Sequence, residues 1–180
     1  MRFAKHTVLR ADFEQTRNIS GISAPLVSKG RLIMSQAHGV WWQQETPFIM
    51  RLLLTQQKMV QTIDGQDPEE INAKSNPQIF QFNALLSALL KADIAVLKQD
   101  FEITFEATPL KEEGRGNWYL QLKPITSPLD KIFLKINLKG KNYINTIHIY
   151  DKQGDISVIN FSNQTTKPEI LNRDERNYFQ

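Results

Sequence analysis

The dominant pattern along this 180-residue chain is a two-residue alternation of apolar and polar positions, broken by one leucine-rich stretch at 83–97. Successive strand side chains point to opposite faces, so alternation marks a strand with one buried and one solvated side. Leu9, Ala11 and Phe13 alternate with Arg10, Asp12 and Glu14, while residues 3–8 are compatible with a short helix. Ser28, Gly30, Leu32 and Met34 share a face opposite Lys29 and Arg31, and a glycine inside that strand predicts a bend or bulge. Val40 to Gln43 follow, then Phe48, Met50, Leu52 and Leu54 on one side with Arg51 on the other. Pro47 stands just before that strand, where a missing amide donor costs least. Trp41 and Trp42 are adjacent and so face opposite sides. Trp42, with Val40, is expected inward and Trp41 outward, exposed or packed under a loop.

Lys58 to Ile63 forms a further strand closed by Asp64-Gly65, a turn pair. The rhythm then changes. Asp67 to Glu70 reads as a polar loop, and Asn76-Pro77 suits a helix start with proline in its first turn. Asn83 can cap a segment whose Leu85, Leu86, Leu89 and Leu90 fall on one helical stripe, and Asp93 can cap a short turn from Ile94 to Lys98. Alternation resumes with Phe101, Ile103 and Phe105 against Glu102, Thr104 and Glu106. Lys111 to Asn117 is a hairpin loop into Trp118, Leu120 and Leu122. Ile132, Leu134, Ile136 and Leu138 are read as one face. Ile147 and Ile149 lead into a turn at Asp151 to Gly154, and Asp155 to Phe161 returns. The fold class is mainly β (α+β): about ten to eleven strands in a strongly curved antiparallel sheet, an incomplete barrel, with a helical lid at about 76–98. A sheet of that size tends to curl, and an incompletely filled inner face leaves a cavity. One domain over 1–180 accommodates this pattern.

Charge and candidate chemistry narrow the function mainly by exclusion. Lys+Arg 22 against Asp+Glu 19 gives +3 without any long like-charge run, which argues against nucleic acid as partner. Cysteine is absent, removing disulfides and thiol chemistry. His6, His38 and His148 lack metal-ligand spacing, and the carboxylates Asp64, Asp67, Glu69 and Glu70 match no calcium loop. There is no nucleophile elbow, phosphate loop or dinucleotide fingerprint. Neither enzyme nor cofactor is implied. No apolar run reaches the roughly 18 residues of a membrane span, so the chain is expected to be soluble. Export would require a leader already removed.

Several ordered motifs resemble the LolA family of periplasmic carriers, which move lipoproteins from the inner to the outer membrane. Phe13-Glu14-Gln15 is similar to the family's Phe-x-Gln on its first strand. GRLIMSQAHGVWWQQETPF, residues 30–48, resembles its strand pair with an aromatic-rich second strand before a proline. LLLTQQKMV resembles its following hairpin, although Gln56-Gln57 replaces the family's Asp-Gly turn. NWYLQLKP is similar to its strand ending in a Lys-Pro or Pro-Lys pair, and IHIYDKQGDISVINFSNQTTKPEI resembles its late hairpin and the segment leading to the C-terminus. The resemblance implies an incomplete barrel with helices over its open side and an apolar interior for acyl chains. On that reading Phe13, Leu32, Met34, Val40, Trp42, Met50, Leu52, Leu54, Phe101, Ile103, Phe105, Trp118, Leu120 and Leu122 line the lipid-binding face, and Leu85, Leu86, Leu89 and Leu90 form the lid.

One departure stands out. The family's lipoprotein carriers place an arginine on the turn after the first of the paired strands, where it holds the lid shut. Here the turn reads Ser35-Gln36-Ala37-His38, leaving Gln36 and His38 as the candidate latch. The cargo therefore stays open between a lipoprotein and another acylated lipid, such as a glycolipid. The expected setting is the periplasm, with a monomeric carrier between an inner-membrane donor and an outer-membrane acceptor. The alternative is an envelope sensor or interaction domain using the same fold to bind lipidated or misfolded protein.

Overall fold

The computed structural model describes residues 7–55, 58–71, 85, 87–89, 93–107 and 117–180. These form one antiparallel sheet of eleven strands, with β1 (Val8–Asn18) at its centre. From there the chain walks outward through β2 (Leu26–Ser35), β3 (Gly39–Thr46), β4 (Met50–Leu54), β5 (Met59–Ile63) and β6 (Glu69–Ile71) to one edge. It next enters at the opposite edge, through α1 (Ile94–Asp100) and β7 (Phe101–Ala107). It then returns by β8 (Trp118–Pro124), α2 (Leu129–Ile132), β9 (Phe133–Gly140), β10 (Ile144–Asp151) and β11 (Ile156–Thr165), which pairs with β1. A last helix, α3 (Arg173–Asn177), closes the chain.

This topology makes one connection unlike the others. Neighbouring strands lie about 4.8 Å apart, so the edges of a flat sheet this wide would be separated by about 48 Å. The link from β6 to β7 joins those edges. Within it, Leu85, Ser87, Ala88 and Leu89 have helical backbone, and Asp93 caps α1 by accepting from Val96 N at 3.2 Å. Leu85, Ala88, Leu89 and Leu97 are buried with side chains contributed by all eleven strands. The sheet is strongly curved. Val40, Leu122, Ile136, Leu138 and Ile147 are completely buried on a face that no second sheet covers among the described residues. Such burial requires the sheet to curl on itself beneath the helical residues.

Bulges supply the curl. Register shifts occur opposite Gly30, between Arg10 and Asp12, and at both ends of β10. The shift beside Tyr150 and Asp151 corrects one expectation: Ile132 ends α2, Leu134 is exposed, and Phe133 takes the inward position before Ile136 and Leu138. Strand β4 starts at Met50, two residues later than the alternation predicts. Gln44 Nε2 instead bonds Phe48 O at 3.0 Å, holding Phe48 in the turn, where it is 54% exposed. The polar loop expected at 67–70 contributes a three-residue edge strand, β6, anchored by Ile71. Val8 is extended rather than helical; residues 1–6, like the hairpin loop at 111–116, lie outside the described residues.

The outer face carries a second, smaller cluster. Val8, Ile33, Trp41 and Leu171 are buried together, with Phe179 packed against them. Trp41 stacks on Tyr178 at 4.4 Å, so it packs under the C-terminal segment. Arg10 fixes that segment, donating to both carboxylate oxygens of Glu175, to Pro168 O at 2.9 Å and to Ile170 O at 3.1 Å.

Candidate functional site

Directly paired residues on antiparallel strands share a face, so the register shows which side chains the sheet brings together. Leu32 sits between Ala11 and Trp42, and Trp42 is followed by Leu52; Met34, Val40, Leu54 and Met59 form the next row. On the other half, Leu122 lies between Ile103 and Ile136, and Leu120 between Phe105 and Leu138. Phe13 lies against Trp42 with ring centroids 3.8 Å apart, and Trp42 meets Phe161 edge-on at 6.4 Å. Phe13, Leu32, Val40, Trp42, Leu54, Phe101, Trp118, Leu120 and Leu122 are therefore buried on one continuous inner surface. Met34, Leu52 and Ile103 pack against it while half-buried.

Two candidates stand apart. Met50 is half-buried outside that cluster, with its sulfur 3.7 Å from Gln61 Nε2. Phe105 shares the face of Phe101 and Ile103 but is 54% exposed, because burial fades along the edge strand β7. Of the lid residues, Leu85 and Leu89 are buried against the inner surface, whereas Leu86 and Leu90 lie outside the described residues. Gln36 and His38 are exposed on the β2–β3 turn. His38 Nδ1 is 3.0 Å from Ser35 Oγ and its ring is 5.7 Å from Phe179, so its contacts run to the turn and the C-terminal segment. Ser35 is buried and its hydroxyl accepts the His38 amide, closing the turn.

The inner surface contains residues that alternation alone leaves unassigned. Leu9, Ala11, Leu32, Met34, Ile144, Phe161 and Gln164 line an apolar cleft at the end of β11. Ile136, Leu138, Ile147 and Ile159 complete the floor. At the opposite end of the strands, exposed apolar side chains collect around the hairpin connections: Ile22, Leu26, Phe48, Ile49, Ile125 and Ile132. Arg17 and Ser20 N bind Asp155 there, each at 2.9 Å, tying the β1–β2 loop to the β10–β11 turn. The Ser20 amide and, after it, Arg17 hold the Asp155 carboxyl below its ordinary range.

Titratable chemistry inside the sheet is sparse. His148, whose pKa is lowered by burial and then by Lys139, pairs with Asn137 on the outer face. Among the described residues no cluster of His, Asp or Glu could hold a metal ion, and no helix is long and apolar enough to cross a membrane. What the arrangement offers is a continuous apolar inner face covered by Leu85, Ala88, Leu89 and Leu97.

The family description "Outer membrane lipoprotein carrier protein LolA" matches residues 4–173. The chain belongs to the LolA family. No curated protein matches it in sequence. Among solved structures, this LolA family member is similar to a DUF1329 family protein from Desulfovibrio piger, with TM-score 0.53 and 10% identity over 99% of this chain and 94% of that one. The MucA/MucB complex of Pseudomonas aeruginosa gives TM-score 0.52 and 11% identity over 96% of this chain and 56% of that one. A LolA superfamily protein from Nitrosomonas europaea gives TM-score 0.49 and 11% identity over 98% and 91%. At these identities the structural likeness is one of fold. In this member, the β2–β3 turn presents Gln36 and His38 to solvent.

Proposed function

We propose that the protein is a carrier that shields the acyl chains of a lipoprotein or another lipid inside its apolar half-barrel during transfer between inner and outer membrane. The observation that supports this best is the edge-to-edge connection. Leu85, Ala88, Leu89 and Leu97 cover the inner face from a stretch of chain that is separate from the hairpins, so the cover can lift without breaking strand pairing. Each methylene withdrawn from water is worth about 0.8 kcal/mol, so a long acyl chain represents on the order of 10 kcal/mol. A bilayer offers the same burial, so loading and release turn on small differences between covered and uncovered states.

Phe13, Leu32, Val40, Trp42, Leu54, Phe101, Trp118, Leu120 and Leu122 form the floor in this reading, Leu85 and Leu89 the cover, and the half-exposed Phe105 the entrance at the β7 edge. The carrier works in the periplasm without catalysis, between a donor protein at the inner membrane and an acceptor at the outer. Mass spectrometry of lipid extracted from protein purified out of its native cells tests the reading. A stoichiometric acylated lipid is expected; consistently empty protein that hydrolyses ester substrates overturns it. Recovery of a bound protein without lipid favours instead an envelope interaction domain.

A further inference from the structure

Strand β11 contains the one non-glycine residue with left-handed backbone among the described residues, Asn163 at φ 51°. It sits where the register slips. Asp12 pairs with Ser162 while Arg10 pairs with Thr165, so Asn163 and Gln164 together oppose Ala11 in a bulge. Unbroken alternation from the inward Phe161 would send Asn163 inward and Gln164 outward. The bulge reverses them: Asn163 Nδ2 donates to the outward Asp12 at 2.6 Å, and Gln164 joins Leu9, Ala11 and Leu32 in the apolar cleft. A left-handed asparagine costs conformational energy, and here it re-aims one amide into an otherwise apolar lining.

The orientation of that amide is fixed. Gln164 Nε2 donates to Ile144 O at 2.6 Å, and a carbonyl oxygen facing a carbonyl would repel it, so Oε1 must point the other way. Oε1 is buried and has no hydrogen-bond partner. An orphaned acceptor in an apolar cleft is costly unless a donor reaches it. Ester groups carry acceptors only. We propose that Gln164 is a specificity residue whose Oε1 accepts a hydrogen bond from a donor carried beside the acyl chain, an amide N–H or a chain hydroxyl, so that such lipids are held in preference to simple esters.

This inference rests on the carrier reading, and the experiment separates the two. Bound fluorescent palmitate is displaced from the full chain by N-methylpalmitamide or N,N-dimethylpalmitamide, and by methyl 3-hydroxypalmitate or methyl palmitate. Only the first member of each pair carries a hydrogen-bond donor, an N–H in place of N–CH3 or a chain hydroxyl in place of hydrogen. Because an unpaired buried acceptor is penalised, the donor-bearing member of at least one pair should bind about tenfold more tightly, and the preferred pair identifies the donor. Gln164→Met should reduce that preference to within about twofold while still binding palmitate. Equal displacement within both pairs by the unaltered protein, or a preference that survives in Gln164→Met, overturns the role of Gln164 and leaves the carrier standing. Failure of palmitate to bind either version overturns both.

Discussion

Gly30 tests how the sheet achieves its curvature. A Cβ at this position would stand 1.9 Å from Gln43 O, 2.8 Å from the same carbonyl carbon and 2.9 Å from Gln44 Cα, all of them backbone atoms. No side-chain rotation relieves that contact, so Gly30→Ala must push β3 away from β2 at the bulge where Gly30 pairs with Gln44. Overpacking typically costs 1–3 kcal/mol, and a clash with fixed backbone belongs at the upper end, about 3 kcal/mol. A chain of this size loses about 2–4 °C of melting temperature per kcal/mol, which predicts a drop of about 6–12 °C by thermal circular dichroism. Gly65→Ala is the control: Gly65 has φ +77° and nothing within 4 Å of a built Cβ, so only the left-handed backbone is penalised, at about 1 kcal/mol or about 2–4 °C. A Gly30→Ala protein that melts no lower than Gly65→Ala refutes the reasoning.

Three further predictions concern the outer clamp and the cover. Arg10 forms its paired hydrogen bonds to a largely buried Glu175, so Arg10→Ala should destabilise by about 1–2 kcal/mol and loosen the packing around Trp41, read as a red shift in its fluorescence in a background with the other tryptophans replaced. The Arg10 hydrogen bond, as the largest cause, holds the Glu175 carboxyl below its usual pKa. Its stabilisation is then complete above the ordinary value of about 4.3 and is lost as pH falls through the lowered folded value. Acid melts should therefore converge between the parent and Glu175→Gln at low pH; a constant gap at every pH contradicts this. For the cover, Leu89→Asp should speed loss of a bound fluorescent acyl chain at least tenfold while lowering the melting temperature less than Ile136→Asp in the floor. Equal destabilisation by the two would mean that Leu89 is ordinary core.

Much of the sheet was legible in the sequence because period-2 alternation reports a face directly. The Leu32 and Trp42 rows fell where alternation put them, and Asp93 caps α1 as its position implies. Alternation failed at the bulges beside Leu134 and Asn163, since one extra residue reverses the faces beyond it. That is why Leu134 is outward and why Gln164, apparently an outward polar residue, lines the cleft. Strand β6 was invisible because only Ile71 of its three residues is apolar. The C-terminal helix carried a signal that pattern reading passed over: Asn172 and Glu175 form a capping box, with Glu175 N donating to Asn172 Oδ1 at 2.9 Å and Asn172 N to Glu175 at 2.8 Å. Arg10, read as the solvated side of a strand, became the residue that binds that helix because its partner lies 165 positions away.

The central claim is that acyl chains occupy the inner face of the sheet. Photo-crosslinking with a palmitate bearing a diazirine at its chain end, followed by peptide mass spectrometry, tests it most directly. Labelling should fall on inner-face residues such as Trp42, Leu120, Leu122 and Ile136, and should be competed by unlabelled palmitate. Labelling confined to the outer cluster around Ile33, Trp41 and Leu171, or none that competes, would contradict it.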